Sequence, residues 1–438
     1  MLPLKTLLYL GLFGIAVLGA IFYHPIVGIY AYLGTYNINP LGHWWGSYLP
    51  DWASRYSMII VIVTTFGVLL HLGKLRLVTL VERQEILLLI FLGIIWLSVL
   101  WGQGWEINYN VYKMGKVVLV LLIASHVITT LRFYEGMLWV LIIAGLYLGF
   151  EMYSGAGIYR GGRFDVGVGG SDFSEGNFLA AHFAFLLPLA GIMFLKGSWK
   201  ARFLGLVSVV FMLNSIVLTR SRGAFLALAI GMVAAFIFSA KLRVHKKKVV
   251  VLMMLGVAGV MYLTDPGFWG RMETIQVGGE NLVQTRDTSA ANRLIAWRGA
   301  WAMVQDYPLG VGVGSFFDFI GQYEPSIPGK DTHNTYFRCL AELGFVGFFV
   351  LMLLIVNAFW MLFSLDKSAR SLSEDRRHAY HLHVFGVAIA LVVYLSATMF
   401  ISSTYIEEFY WLLMMPVFLK RALDNEMEEA GMPEVRNL

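Results

Sequence analysis

The chain has 438 residues, of which 58% are hydrophobic and only 14% charged, with a net charge of +5. Soluble domains carry about 25% charged residues, so this composition excludes an ordinary globular protein and predicts an integral membrane protein. The single cysteine, Cys339, excludes an internal disulfide and speaks against a cysteine-based metal site. The small positive charge gives no indication of nucleic acid.

Apolar runs of about 17–25 residues mark bilayer crossings. Residues 6–23 form the first, with no small-residue cleavage site after it, so it reads as an uncleaved span. Residues 25–36 are apolar but short and are left as a re-entrant or interfacial piece. Further spans follow at 56–72, 85–100, 114–129, 134–153, 178–195, 203–218, 223–240, 249–263, 336–363, 380–400 and 405–419. The expectation is an all-α polytopic membrane protein of about 12 transmembrane helices. Residues 1–263 make an N-terminal bundle, 264–335 a large extracytoplasmic loop with short amphipathic helices, 336–420 three C-terminal spans and 421–438 an acidic, disordered tail.

The segments at 74–83, 195–202, 241–248 and 366–378 are all basic. With these spans they fall on one side, together with Lys5 and the C-terminal tail, and the positive-inside rule makes that side cytoplasmic. Both termini are then expected in the cytoplasm. One short outward loop breaks the rule: Thr219-Arg220-Ser221-Arg222-Gly223 places two arginines at the outer bilayer edge. They either snorkel to headgroups or bind an anionic group brought into the bundle.

Inside the long loop, Asp287-Thr288-Ser289 is a helix start, and 290–305 reads as an amphipathic helix. Arg293, Trp297, Ala300, Trp301 and Val304 share one face, while Arg298 points elsewhere. That helix suits the bilayer surface, yet an arginine on the tryptophan face requires an anionic partner. The glycine-rich segment 155–177 reads as a loop with extended pieces, and Gly310-Val311-Gly312-Val313-Gly314 as a turn. Neither lies between a strand and a helix as a dinucleotide-binding fingerprint requires. His333 is the only histidine of the long loop. A lone histidine is more often structural than catalytic, but this one sits at the mouth of a span, near the arginine-bearing elements. Its ordinary pKa near 6.5 allows it to accept a proton.

His333-Asn334, followed by Gly344-x-x-Gly347, resembles the motif of the O-antigen ligase and O-antigen polymerase superfamily. LTRSRGA (218–224) and the segment 292–316 resemble it too, in the same order and topology. Phe268-Trp269-Gly270-Arg271-Met272, Asp287-x-Ser289-Ala290 and the N-terminal NINPLGHWWG are similar to one branch, the O-glycosylation ligases found beside exosortase systems. The resemblance implies a bacterial inner-membrane glycosyltransferase. Its donor would be an undecaprenyl-diphosphate-linked glycan and its acceptor a glycan, lipid A core or protein hydroxyl, with no cofactor and no metal. By matching motifs, Arg222 and Arg293 would contact the diphosphate and His333 would activate or orient the acceptor. Arg220, which has no firm counterpart, Asn177 at the outer end of the sixth span, Arg298 and Asn334 are further substrate-binding candidates. Asp331 could orient His333, although a solvated aspartate is the commoner reading.

An inverting displacement follows from a mechanism with no enzyme nucleophile, and no outward carboxylate pair points to a retaining glycosidase. Ligase, polymerase and protein O-glycosylation share this chemistry and stay open, as do the donor sugar and oligomeric state. A lipid-linked oligosaccharide flippase is the alternative from another class. It would carry mid-span charges, whereas the spans here read as nearly free of charge.

Overall fold

The computed structural model describes residues 2–73, 81–102, 109–242, 244–272 and 288–431, with side chains of the last segment from residue 290. These residues are all-helical apart from one hairpin and the connections. The helices are α1 (Leu4–Phe22), α2 (Ile26–Ile38), α3 (Tyr56–Leu70), α4 (Arg83–Trp101), α5 (Tyr109–Val127), α6 (Leu131–Tyr153), α7 (Gly176–Lys196), α8 (Trp199–Thr219), α9 (Arg222–Lys241), α10 (Lys246–Leu263), α11 (Pro266–Met272), α12 (Thr288–Asp306), α13 (Phe316–Tyr323), α14 (Thr335–Ser368), α15 (Glu374–Ala397) and α16 (Glu407–Glu429). The strands β1 (Ile158–Arg160) and β2 (Arg163–Val166) pair antiparallel in the glycine-rich segment, as its extended pieces led one to expect. The predicted cap residue Asp287, the side chains of Thr288 and Ser289, and most of the basic segment 74–83 lie outside the described residues.

Among the described residues, ten helices are long and apolar enough to cross a membrane, or eleven if α10 and α11, bent by 113°, count as one span. The sequence predicts about twelve. Of the predicted twelve, the span in α16 fails these criteria and α10 passes them only together with α11, whereas α2 is not among the twelve. Two helices are misjudged by the length and apolarity rules. One is α2, only 13 residues but buried along most of its length. At about 1.5 Å per residue it is nearly 20 Å long, enough to traverse the bundle. It joins a turn beside the start of α6, where His24 packs on Phe133 at 4.7 Å, to the opposite end, where Tyr36 donates to Asp172 at 2.9 Å.

That crossing overturns one expectation. Lys5 pairs with Glu151 at the end of α6 (2.5 Å), and Thr6 donates to the Trp45 carbonyl (2.9 Å). The start of α1 therefore lies with the 39–55 and 154–175 connections. The basic turns lie at the other end, where Glu135 of α6 binds both Lys196 and His383. Lys5 is not on the basic side, and the start of α1 and the end of α16 occupy opposite ends of the bundle.

The second misjudged helix is α16, which is central. Glu407, Glu408, Lys420 and Arg421 on it are all buried. Arg421 donates to both oxygens of Glu85 (3.0 and 2.8 Å), which also accepts from Ser125 (2.5 Å). Glu408 meets His182 (2.6 Å) and Tyr394 (2.7 Å), while Glu407 accepts from Tyr32 (2.9 Å) and Trp411 (2.8 Å). The spans are thus not nearly free of charge. Arg421 and Lys420 are offset by Glu85, Glu82 and Asp424, whereas Glu407 is met by the neutral donors Tyr32 and Trp411, as groups remote from water require partners. The same helix continues to Glu429, so the acidic residues that read as a disordered tail are helical up to that point.

At the end opposite the basic turns, α12 and α13 form a small second core of Ala296, Ala300, Met303, Val311, Phe316, Ile320 and Ile327, seated on Ala341 of α14. The amphipathic helix α12, expected at the bilayer surface, thus packs on protein. Trp297 stacks on Phe337 (5.4 Å, 14°), whereas Trp301, expected on the same face, is half-exposed. A break in α14 makes this seat. Gly344 adopts φ +67 within the helix, a conformation natural only to glycine. The opened turn accepts the 307–312 connection through Val311 N–H to Ala341 (2.9 Å), Gly312 N–H to Glu342 (3.0 Å) and Phe345 N–H to Pro308 (3.0 Å).

Candidate functional site

A cavity of about 420 Å³ opens where these outer elements meet the bundle, lined mainly by polar side chains. Arg222 and Ser221 come from the start of α9, Asn177 and Glu175 from the start of α7, and Arg293 from α12. Arg163 comes from β2, Arg271 from α11, and His333 from the turn before α14. Arg222, Arg293, His333 and Asn177 are widely spaced in sequence, and the fold brings all of them to one wall-to-wall site.

The wall at α7 and α9 is a hydrogen-bonded rail. Ser221 donates to Asn177 Oδ1 (3.1 Å), and Asn177 Nδ2 donates to Glu175 Oε1 (2.8 Å). Ser221 is the N-cap of α9 but makes no capping bond, since its hydroxyl serves this rail. The first turn of α9 lines the cavity, so its unsatisfied N–H groups and dipole add to the positive potential of the arginines.

His333 is held in a left-handed conformation, φ +45, which disfavours any side chain and persists only where neighbours enforce it. The enforcers are visible. Trp297 Nε1 donates to the Thr332 carbonyl (2.9 Å) and the Thr332 hydroxyl donates to Asn334 O (3.0 Å). Asn334 Nδ2 binds Met399 O (3.1 Å), and Ser402 bonds both Asp331 (2.9 Å) and Thr332 (2.9 Å). Asp331 is not a solvated aspartate: its side chain is 16% exposed and sits 3.7 Å from Arg338. It lies 3.9 Å from His333 Nδ1, beyond a hydrogen bond but close enough to act on its charge. Burial pushes the His333 pKa below its ordinary value, reinforced by Arg293 and Arg338 and opposed by Asp331 and Glu175. The imidazole is therefore neutral at neutral pH while remaining 42% exposed.

Three other candidates are placed outside the cavity lining. Arg220 binds Asp265 (2.7 Å) at the start of α11. Arg298, 73% exposed, forms a two-pronged pair with Glu324 (2.7 and 2.9 Å), which raises the arginine pKa and lowers that of the glutamate. Asn334 is buried and caps α14, its side chain accepting from Tyr336 N–H and Phe337 N–H. Arg163, Arg271, Glu175 and Ser221 are cavity residues that sequence reasoning missed. The arginines carried a usable signal, because any arginine in an outward connection breaks the positive-inside rule as Arg222 does.

Directly beside this polar cavity runs an apolar groove of about 360 Å³ between α7, α9, α10 and α15. It begins where the cavity ends: Ala224 lines one and Phe225 the other, and Val393 of the groove is one turn before Ala397 of the cavity. The arrangement suits a molecule with a long apolar tail and an anionic head.

The model of one protein family, described as O-antigen ligase, matches residues 207–352. That stretch contains Arg222, Arg271, Arg293 and His333, whereas Arg163, Glu175 and Asn177 lie outside it. No curated protein matches the chain.

Proposed function

We propose, from the similarity of residues 207–352 of this multi-pass membrane protein to the O-antigen ligase family, that it moves a glycan from an undecaprenyl-diphosphate carrier to an acceptor hydroxyl at the outer face of the bacterial inner membrane. The observation that carries this reading is the polar cavity with Arg222, Arg293 and His333, abutting a groove fit for a prenyl tail. The basic turns at the far end support an outer location for the cavity by the positive-inside rule.

The acceptor oxygen attacks the anomeric carbon as its bond to the diphosphate oxygen breaks. The electron pair leaves on the diphosphate, and the acceptor proton passes to His333. Charge on the leaving group grows by about one unit in the transition state, and donors fixed in a water-poor site stabilise that growth more than they stabilise the bound donor. Four arginines against one carboxylate line the cavity, an excess matched to a diphosphate. A neutral His333 supplies general-base catalysis of about 10²- to 10⁴-fold. One displacement without an enzyme nucleophile inverts the anomeric configuration. The buried charges of α16 do not favour a flippase, because each has a protein partner and none lines the cavity or the groove.

Deleting the gene in its host, then restoring wild type or His333→Ala at equal membrane abundance, tests this. The reading requires that the variant insert normally, lose the glycosylated surface product and accumulate lipid-linked glycan. Full restoration by His333→Ala would refute it, and the missing product identifies ligase, polymerase or protein glycosylation.

A further inference from the structure

One short helix touches both the cavity and the groove. After α10 ends at Leu263, the chain turns through 113° into α11, and three contacts fix that turn. Asp265 Oδ1 accepts from Phe268 N–H (2.6 Å), Asp265 Oδ2 takes Arg220 Nη2 (2.7 Å), and Arg271 Nε donates to the Arg220 carbonyl (3.0 Å). Phe268 is buried beneath, edge-on to Phe225 at 4.8 Å. Gly267 lies flat on the Arg220 guanidinium, where a Cβ would stand 2.9 Å from its nitrogens. The helix is thereby seated with Trp269 lining the apolar groove and Arg271, two residues on, lining the polar cavity.

We propose that α11 reads the junction between tail and head of the lipid donor: Trp269 covers the first isoprene units, Arg271 takes the adjacent phosphate, and Arg220 and Asp265 are positioning residues. This rests on the lipid-diphosphate reading above and adds the part of the donor that is recognised. A molecule with its tail in the groove and its diphosphate among the arginines crosses the boundary that Phe225 marks on the groove side and Ala224 on the cavity side, and α11 lines both spaces. A tryptophan that merely anchors a protein at the interface offers its N–H to headgroups. Here the indole Nε1 is spent on Thr264 Oγ1 (3.1 Å), leaving the ring to pack against apolar matter.

The test uses the full chain in phosphatidylcholine nanodiscs, with affinities measured for farnesyl diphosphate, inorganic diphosphate and phosphatidic acid. Trp269→Ala weakens farnesyl diphosphate about tenfold, equivalent to about 1.4 kcal/mol, and leaves inorganic diphosphate unchanged. Trp269→Phe retains most of the prenyl affinity, Arg271→Gln weakens both diphosphates, and Asp265→Asn reproduces the loss seen for Trp269→Ala. If Trp269→Ala changes neither ligand while Arg222→Gln weakens both, the junction role is wrong and the donor reading survives. Equal weakening of both diphosphates by Trp269→Ala also overturns the junction role, since it reports a collapsed cavity. A wild-type chain that ignores farnesyl diphosphate, or binds only phosphatidic acid, overturns both.

Discussion

At the scale of single residues, His333 combines a strained backbone, a side chain open to the cavity and a pKa pushed down mainly by burial. A base must be neutral, and lowering the pKa keeps it neutral as the pH falls through 6.5. The acid limb of kcat/KM is therefore predicted below pH 6.5. Asp331 acts in the opposite direction, so Asp331→Asn moves the limb lower still; a limb at or above 6.5 contradicts the assignment. Arg298→Ala, which lies outside the cavity lining, is predicted to leave transfer near wild type while lowering stability, because Glu324, only 12% exposed, loses its partner. Sequence could separate these arginines only in part. Arg293 was marked by its tryptophan face. Arg220 and Arg222 are two residues apart, but one sits in the left-handed cap of α8 and the other opens α9, so they diverge to different partners. Arg163 joins the site from β2 and Glu175 from the N-cap of α7, and no local pattern announces that the two meet.

Among the elements, α14 and α16 show what an apolarity scan omits. The motif Gly344-x-x-Gly347 was legible, but its physical meaning was not. Gly344 breaks α14 so that the 307–312 connection can bond its carbonyls, and a Cβ there would lie 2.2 Å from the Pro308 carbonyl. Gly344→Ala is predicted to lose about 1–3 kcal/mol from backbone strain alone, and more from the clash, read as a lower thermal midpoint in detergent. An unchanged midpoint contradicts this role. On α16 the buried charges are legible only as a pair with their partners. Removing one partner of a buried ion pair costs about 3–5 kcal/mol because a lone charge is left behind. Arg421→Met should therefore destabilise the fold severely, and adding Glu85→Gln should recover much of the loss. A double variant no better than the single one contradicts the pairing.

For the molecule as a whole, hydropathy and basic loops gave the right order of spans from α3 onward, while the orientation of α1 was reversed. The cause is parity: treating 25–36 as a non-crossing piece inverts only what precedes it, so every downstream loop stayed consistent and concealed the error. Cysteine labelling tests the corrected arrangement, because native Cys339 is buried and gives little background. Leu4→Cys and Ile158→Cys, both at exposed positions, should label from one face of the membrane and Trp199→Cys from the other. Labelling of Leu4→Cys and Trp199→Cys from the same face contradicts it.

The central claim, that the cavity breaks a glycan–diphosphate bond, is tested most directly by following that bond. Full-length protein in nanodiscs is incubated with lipid-linked glycan and acceptor-bearing membranes from the deletion strain, and free undecaprenyl diphosphate is quantified by mass spectrometry. The account predicts release by wild type, about 10²- to 10⁴-fold slower release by His333→Ala, and comparable or greater loss with Arg222→Gln or Arg293→Gln. Lipid-linked glycan that stays intact, with no diphosphate released by the wild-type chain, would contradict it.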